Sequence, residues 1–154
     1  MAVQGSIGTT LEFFAAALPT TYDETGINAL TGGVLVGEIA SYSEYGGSGN
    51  VETHTPVDTG IVNKAIGVID YGQMALSIGK DKTDAGQVAL KDAFDGANAR
   101  SIGTFVLTLP DSTREAFTGL ISSFTTNPGT AGPFITGSCN VELNNSVLQL
   151  AAAP

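Results

Sequence analysis

Positive charge is scarce in this chain. Six Lys and Arg stand against fifteen Asp and Glu, a net charge of −9. A general nucleic-acid binder grips phosphates with basic residues, so that class is disfavoured. Charged residues of both signs make up only 14% of the sequence, well under the usual quarter. Cys139 is the only cysteine. No disulfide can close within the chain, which excludes a disulfide-stapled secreted scaffold. His54 is the only histidine, which excludes a multi-histidine metal site within one chain. No apolar run approaches the roughly 18 residues of a membrane helix, so no membrane insertion is expected. The longest near the start, Phe13 to Leu18, is bounded by Glu12 and Pro19 with no basic residue before it. It makes a poor signal peptide.

The 154 residues are 42% apolar, too apolar for a disordered chain and enough for one domain, 1–154, with a real core. With few charges, the surface must be covered by something else, and 20 Gly and 18 Thr supply it. Small neutral residues suit packing against other protein. The charge is uneven. Residues 1–63 hold seven acids and no base, and residues 64–154 hold eight acids and six bases. Either this is ordinary solubilising charge, or one surface is built to repel polyanions.

Thr10 to Ala16 can form a short strand, followed by a turn at Leu18–Asp23 and a loop to Gly33. Val34 to Tyr42 reads as one strand, with Glu38 at its centre. Residues 43–65 form a long excursion, too polar for a core hairpin and too regular for disorder. Such segments are binding loops or intersubunit arms. Ala65 to Ile78 is β again, broken at Asp70-Tyr71-Gly72. One helix is expected from Asp84 to about Asp95. Asp84 caps it, Gln87 sits three residues on as in a capping box, and Gly96 ends it. Leu90 and Phe94 share its apolar side and should pack on a sheet. Strands follow from Gly103, from Arg114 to Thr126 with a bend near Gly119 or Ser122-Ser123, and from Phe134 to Leu143. The parity change between Phe117 and Phe124 gives the bend. The count is six to eight strands and one helix: a mainly β, antiparallel sandwich or barrel with one flanking α-helix and one long loop.

Catalytic patterns are sparse. His54 is the only candidate base, with Glu52 and Asp58 nearby to orient it, and no nucleophile elbow occurs. A small hydrolase using His54 is one reading, and a loop histidine the plainer one. Cys139 lies on an apolar strand face, as a buried inert thiol would. Asp81, Asp84, Asp92 and Asp95 lack calcium-loop spacing. No catalytic residue, metal or cofactor is expected.

The run Glu52-Thr53-His54-Thr55-Pro56-Val57-Asp58-Thr59-Gly60 is followed by Lys64 with Gly67, Asp70-Tyr71-Gly72 and Asp84-Ala85-Gly86-Gln87. Phe117-Thr118-Gly119 and Ser123-Phe124 come later. In this order, over about residues 34–145, they resemble the major tail tube proteins of long-tailed bacteriophages with flexible, non-contractile tails. The resemblance implies a structural virion protein, not an enzyme. It implies hexameric rings stacked into a hollow tube around a tape-measure protein, with tail terminator and tail-tip proteins as further partners. DNA would be cargo in transit, and the site of assembly the host cytoplasm. The loop reaching a neighbouring subunit would map to about residues 42–63, making Tyr45, Glu52, His54, Pro56 and Asp58 intersubunit candidates. Glu38 and Glu142, the acids expected within strands, are the lumen-lining candidates. Residues 1–33 form an N-terminal segment outside the resemblance, and residues 146–154 a tail that is a candidate for intersubunit contact. The alternatives are another sandwich-fold virion or secretion-tube ring protein, such as a head–tail joining protein, or a carbohydrate-binding module.

Overall fold

A computed structural model describes residues 5–129 and 134–154. The described residues form ten strands and two helices. They are β1 (Thr10–Phe14), α1 (Glu24–Asn28), β2 (Val34–Val36), β3 (Ile39–Tyr42), β4 (Ser48–His54), β5 (Asn63–Asp70), β6 (Gln73–Gly79), α2 (Ala85–Asp95), β7 (Gly103–Thr108), β8 (Arg114–Asn127), β9 (Thr136–Leu143) and β10 (Leu148–Leu150). Eight strands make one antiparallel sheet in the order β2-β1-β7-β8-β9-β6-β3, with β10 also on β8. The remaining two, β4 and β5, pair only with each other.

The end strands of that order, β2 and β3, are consecutive in the chain. Only Gly37 and Glu38 separate them, so the sheet must roll until its two ends meet. The roll puts Leu11, Phe13, Met74, Leu76, Ile78, Phe105, Phe117, Cys139 and Val141 in one core. Phe105 stacks on Phe13 at 4.6 Å and on Phe117 at 5.5 Å between ring centroids. β8 supplies much of the curvature. Its register with β9 slips between Ile121 and Ser123. The bulge falls at one of the two bends expected from the parity change, and it returns Phe124 to the core side.

Helix α2 closes the seam between β2 and β3. The carboxylate of Asp84 accepts the N–H of Gln87 (2.9 Å), as the cap expects, and also the N–H of Gly37 (3.0 Å). Gln87 does not return to the cap residue. Its buried amide donates to the carbonyls of Gly37 (3.1 Å) and Gly79 (2.8 Å) and accepts from the N–H of Asp81 (3.0 Å). One side chain thus satisfies three backbone groups where the ladder is interrupted. The helix lies so close to β2 that a Cβ on Gly86 would fall 2.3 Å from the Leu35 carbonyl oxygen. Leu90 and Ala93 are buried in the core, while Phe94 is half-buried against it.

Several expectations change. Val34–Tyr42 is two strands, because the chain turns where Glu38 adopts φ 60°. The expected loop before Gly33 contains the short helix α1, capped by Asp23, which accepts the Gly26 N–H at 2.8 Å. The N-terminal segment is structural: β1 lies between β2 and β7, though residues 1–4 of it are outside the described residues. The C-terminal tail is not left free for a neighbour along its length. β10 pairs with β8, and Leu150 is buried. These additions make a second core of Phe14, Ile27, Val106, Ala116 and Leu150. It covers the other face of β1, β7 and β8, so both faces of β7 are buried. Arg114 ties the additions together. It is 8% exposed, its Nε donates to the Ala151 carbonyl (2.9 Å), and its Nη2 lies 3.9 Å from Glu24 of α1.

Candidate assembly surfaces

The excursion reaches further than expected: β5, expected to open the next strand region of the body, pairs instead with β4, and the two form a hairpin arm over residues 48–70. Glu52 faces Ala65, Thr53 faces Lys64 and His54 faces Asn63. Every residue of both strands is exposed. Among the described residues, thirteen large apolar side chains are exposed. Seven belong to the arm: Val51, Val57, Ile61, Val62, Ile66, Val68 and Ile69. A two-stranded hairpin is marginal alone in water. An apolar hairpin standing clear of its own domain marks an interaction surface.

The arm grows from a fixed root. Tyr45 was expected among the intersubunit residues, but it folds inward. Its ring lies 5.4 Å from that of Phe117, and its hydroxyl donates to Glu115 at 2.7 Å. Burial, and then this bond to a carboxylate, push the hydroxyl pKa well above that of a free tyrosine. The ring packs inward because the chain must cross the mouth of the core to leave β3. Past the root, a groove of about 330 Å³ separates Ile66 and Ile69 from Tyr71, Ser146 and Val147. The tip is an ordered knob in which the N–H of Gly60 donates to the Pro56 carbonyl (2.9 Å) and that of Thr59 to the Asp58 carboxylate (3.0 Å). Pro56 is half-buried in that knob, and Val57 beside it is fully exposed.

His54 ends β4 in the open. Asp58 is engaged by Thr59, and Glu52 accepts from Asn50. Among the described residues no hydrogen bond links His54 to either acid, so no triad is assembled. No three His, Cys, Asp or Glu side chains among the described residues form a metal cluster. No described helix is long and apolar enough to cross a membrane. Cys139 is buried, and desolvation pushes its thiol up to about 12.

The two acids expected within strands separate. Glu38 is exposed at the turn between β2 and β3, outside any strand. Its carbonyl accepts the Gly79 N–H at 2.8 Å. Glu142 is on β9, opposite Gln73 of β6 and Leu120 of β8. It shares the sheet's outer face with Ala75, Ser77, Ser138 and Asn140. This four-strand face, β3-β6-β9 and the second half of β8, carries small uncharged residues around a single acid.

No protein-family model matches the chain, and no curated protein is similar to it in sequence. Its fold, however, is shared across whole chains. A chain of the anti-feeding prophage baseplate, six-fold symmetrised, superposes with a TM-score of 0.68 over 100% of this chain and 98% of that one, at 11% identity. The SPP1 tail tube gives 0.63 over 97% and 81%, at 12% identity. The sheath/tube terminator of an extracellular contractile injection system, PVC, in the extended state, gives 0.70 over 98% and 99%, at 11% identity.

The fold is the tail tube fold. The expectation of a mainly β, antiparallel sandwich holds, with two helices in place of one. In this chain the rolled sheet and the seam helix α2 make the body, and the arm is a separate two-stranded sheet. The segment was read as polar, and its apolar character comes from Ile66, Val68 and Ile69 of β5, which were assigned to the next strand region. No local signal marked the half-buried role of Tyr45, because its partner Glu115 is 70 residues away.

Proposed function

We propose that this chain is a tail tube subunit: a structural virion protein that forms hexameric rings, stacked head to tail into a hollow tube. The arm carries the reading. An exposed apolar hairpin on a domain with the tail tube fold is explained if a neighbouring subunit covers it. A head-to-tail contact is heterologous, and it closes into rings or runs on as a filament. Arm residues Glu52, His54, Pro56 and Asp58 then serve contact between subunits, not catalysis. The protein is not an enzyme on this reading.

The rest of the reading follows from the role. The tube encloses a tape-measure protein and conducts DNA at ejection, with terminator and tip proteins closing its ends. It is assembled in the host cytoplasm and resides in the virion tail. The outer face of β6, β8 and β9 is the wall we assign to the bore, with Glu142 as its acid. Glu38, displaced to a turn, takes that role only if the turn projects into the lumen. Six subunits of −9 give roughly −54 per ring, so DNA should be repelled and slide. Negative-stain microscopy of the purified protein tests this. Six-fold rings and open tubes are expected, and a strictly monomeric protein counts against it.

The likeness to a sheath/tube terminator chain favours one second reading, a ring protein that caps a tube. Such a subunit would form single rings and add to tube ends without elongating them.

A further inference from the structure

The arm needs a receiving surface, and one groove in the body has the matching chemistry. It has about 610 Å³ and lies between α2 and the far end of β8. Val88 and Phe124 supply apolar walls, and Lys80, Lys82 and Lys91 stand around them. Three of the chain's six bases gather at this one place. Lys80 lies over the Phe124 ring at 3.8 Å. Lys91 pairs with Asp95 on its own helix. The other acid at the groove, Asp81, accepts from the N–H and hydroxyl of Thr83. The groove keeps a positive excess in a strongly acidic protein.

The tip of the arm is its complement. Between Thr55 and Val62 it presents Val57, Ile61 and Val62 with one acid, Asp58, and no base. The arm of the same chain does not fill the groove: among the described residues, no arm residue lines it. The arm's root adjoins Gln73 at the start of β6, and the groove begins at Lys80 just past its end. Seven residues of strand hold the two apart by roughly 20 Å. The root of the arm and the groove lie at opposite ends of β6, and two different surfaces on one subunit are what a head-to-tail contact between identical copies requires.

We propose that the groove between α2 and β8 receives the arm tip of a second copy, with Val57 and Ile61 against Val88 and Phe124 and Asp58 among the lysines. This rests on the tail tube reading and adds the surface that the arm engages.

The test is a directed cross-link. Protein with Val57→Cys is mixed with tagged protein carrying Val88→Cys and oxidised; both sites are exposed, and the buried Cys139 does not compete. A disulfide-linked pair containing both variants is expected. A second arm uses charge reversal at exposed positions. Asp58→Lys and Lys82→Glu should each lower the assembled fraction by about ten-fold, and mixing the two variants should restore it to within about three-fold. If wild-type protein assembles but the two cysteine variants form no such cross-link and neither reversal changes assembly, something else fills the groove; this proposal fails and the tail tube reading stands. If wild-type protein does not assemble at all, both fall.

Discussion

Strand β6 of the body and the β4–β5 arm use the same local code to different ends. In β6, Met74, Leu76 and Ile78 alternate with Ala75 and Ser77, and the apolar set is buried by the roll of the sheet. In the arm, Val51 faces Ile66 and Gly49 faces Ile69 across the hairpin, yet all of these stay exposed. Alternation specifies a strand with one apolar face and says nothing about what covers it. The body supplies its own cover through β10, α1 and α2. Among the described residues the arm has none, and on the proposed reading a neighbouring subunit supplies it.

Substitutions should therefore divide by region. Phe105 is stacked on two rings in the body, and Phe105→Ala should cost about 3–5 kcal/mol in chemical denaturation of the subunit. Phe94 is only half-buried, so Phe94→Ala should cost about 1–2 kcal/mol. Val57→Ser at the arm tip should leave subunit stability within about 0.5 kcal/mol while weakening assembly. A tip substitution that unfolds the subunit would erase the distinction between the regions.

The seam sharpens the same contrast, because polar groups there are satisfied internally. Gln87→Ala strips partners from two carbonyls and one N–H. A loss of about 2–3 kcal/mol is expected in urea melts, against little effect for an exposed arm residue such as Thr53→Ala.

High pH acts on buried groups of the body and of the arm's root. The buried Cys139 thiol is pushed up to about 12, and the Tyr45 hydroxyl is raised too. The unfolded chain begins to release these protons from about pH 8.5 for the thiol and about pH 10 for the hydroxyl. The folded chain holds them longer. Stability contributed by these groups is complete below those values and is lost as pH rises towards the folded-state values. Thermal melts should fall across this alkaline range, and less steeply in Tyr45→Phe.

How far the sequence could be read follows from range. Helix α2, the strands β7, β8 and β9 and the bulge in β8 rest on local spacing, and they were legible. The break at Glu38 was not, since nothing local marks it. It is set by Asp84 and Gln87 of α2, which hold both backbone groups of Gly37 from some 47 and 50 residues away. Helix α1 spans only five residues, and it persists because Ile27 lies in the second core. Of the arm, β4 and the tip were legible as a structured excursion, while β5 was read as the start of the next strand region, because alternation does not show which strand it pairs with. The inward contacts of Tyr45 were not legible, because its hydrogen bond and ring contact come from β8. The smallest effect probes the unread break: Glu38→Gly should relieve a left-handed backbone and leave stability unchanged or raised by up to about 1 kcal/mol.

The central claim is that the arm joins subunits and contributes little to folding of the body. Sedimentation velocity on the intact chain, beside a variant with residues 48–70 replaced by a short Gly-Ser link, tests it most directly. The account predicts rings and longer assemblies for the intact chain, and a folded monomer with a nearly unchanged melting temperature for the variant. Equal assembly by both proteins, or an intact chain that stays monomeric at high concentration, would contradict it.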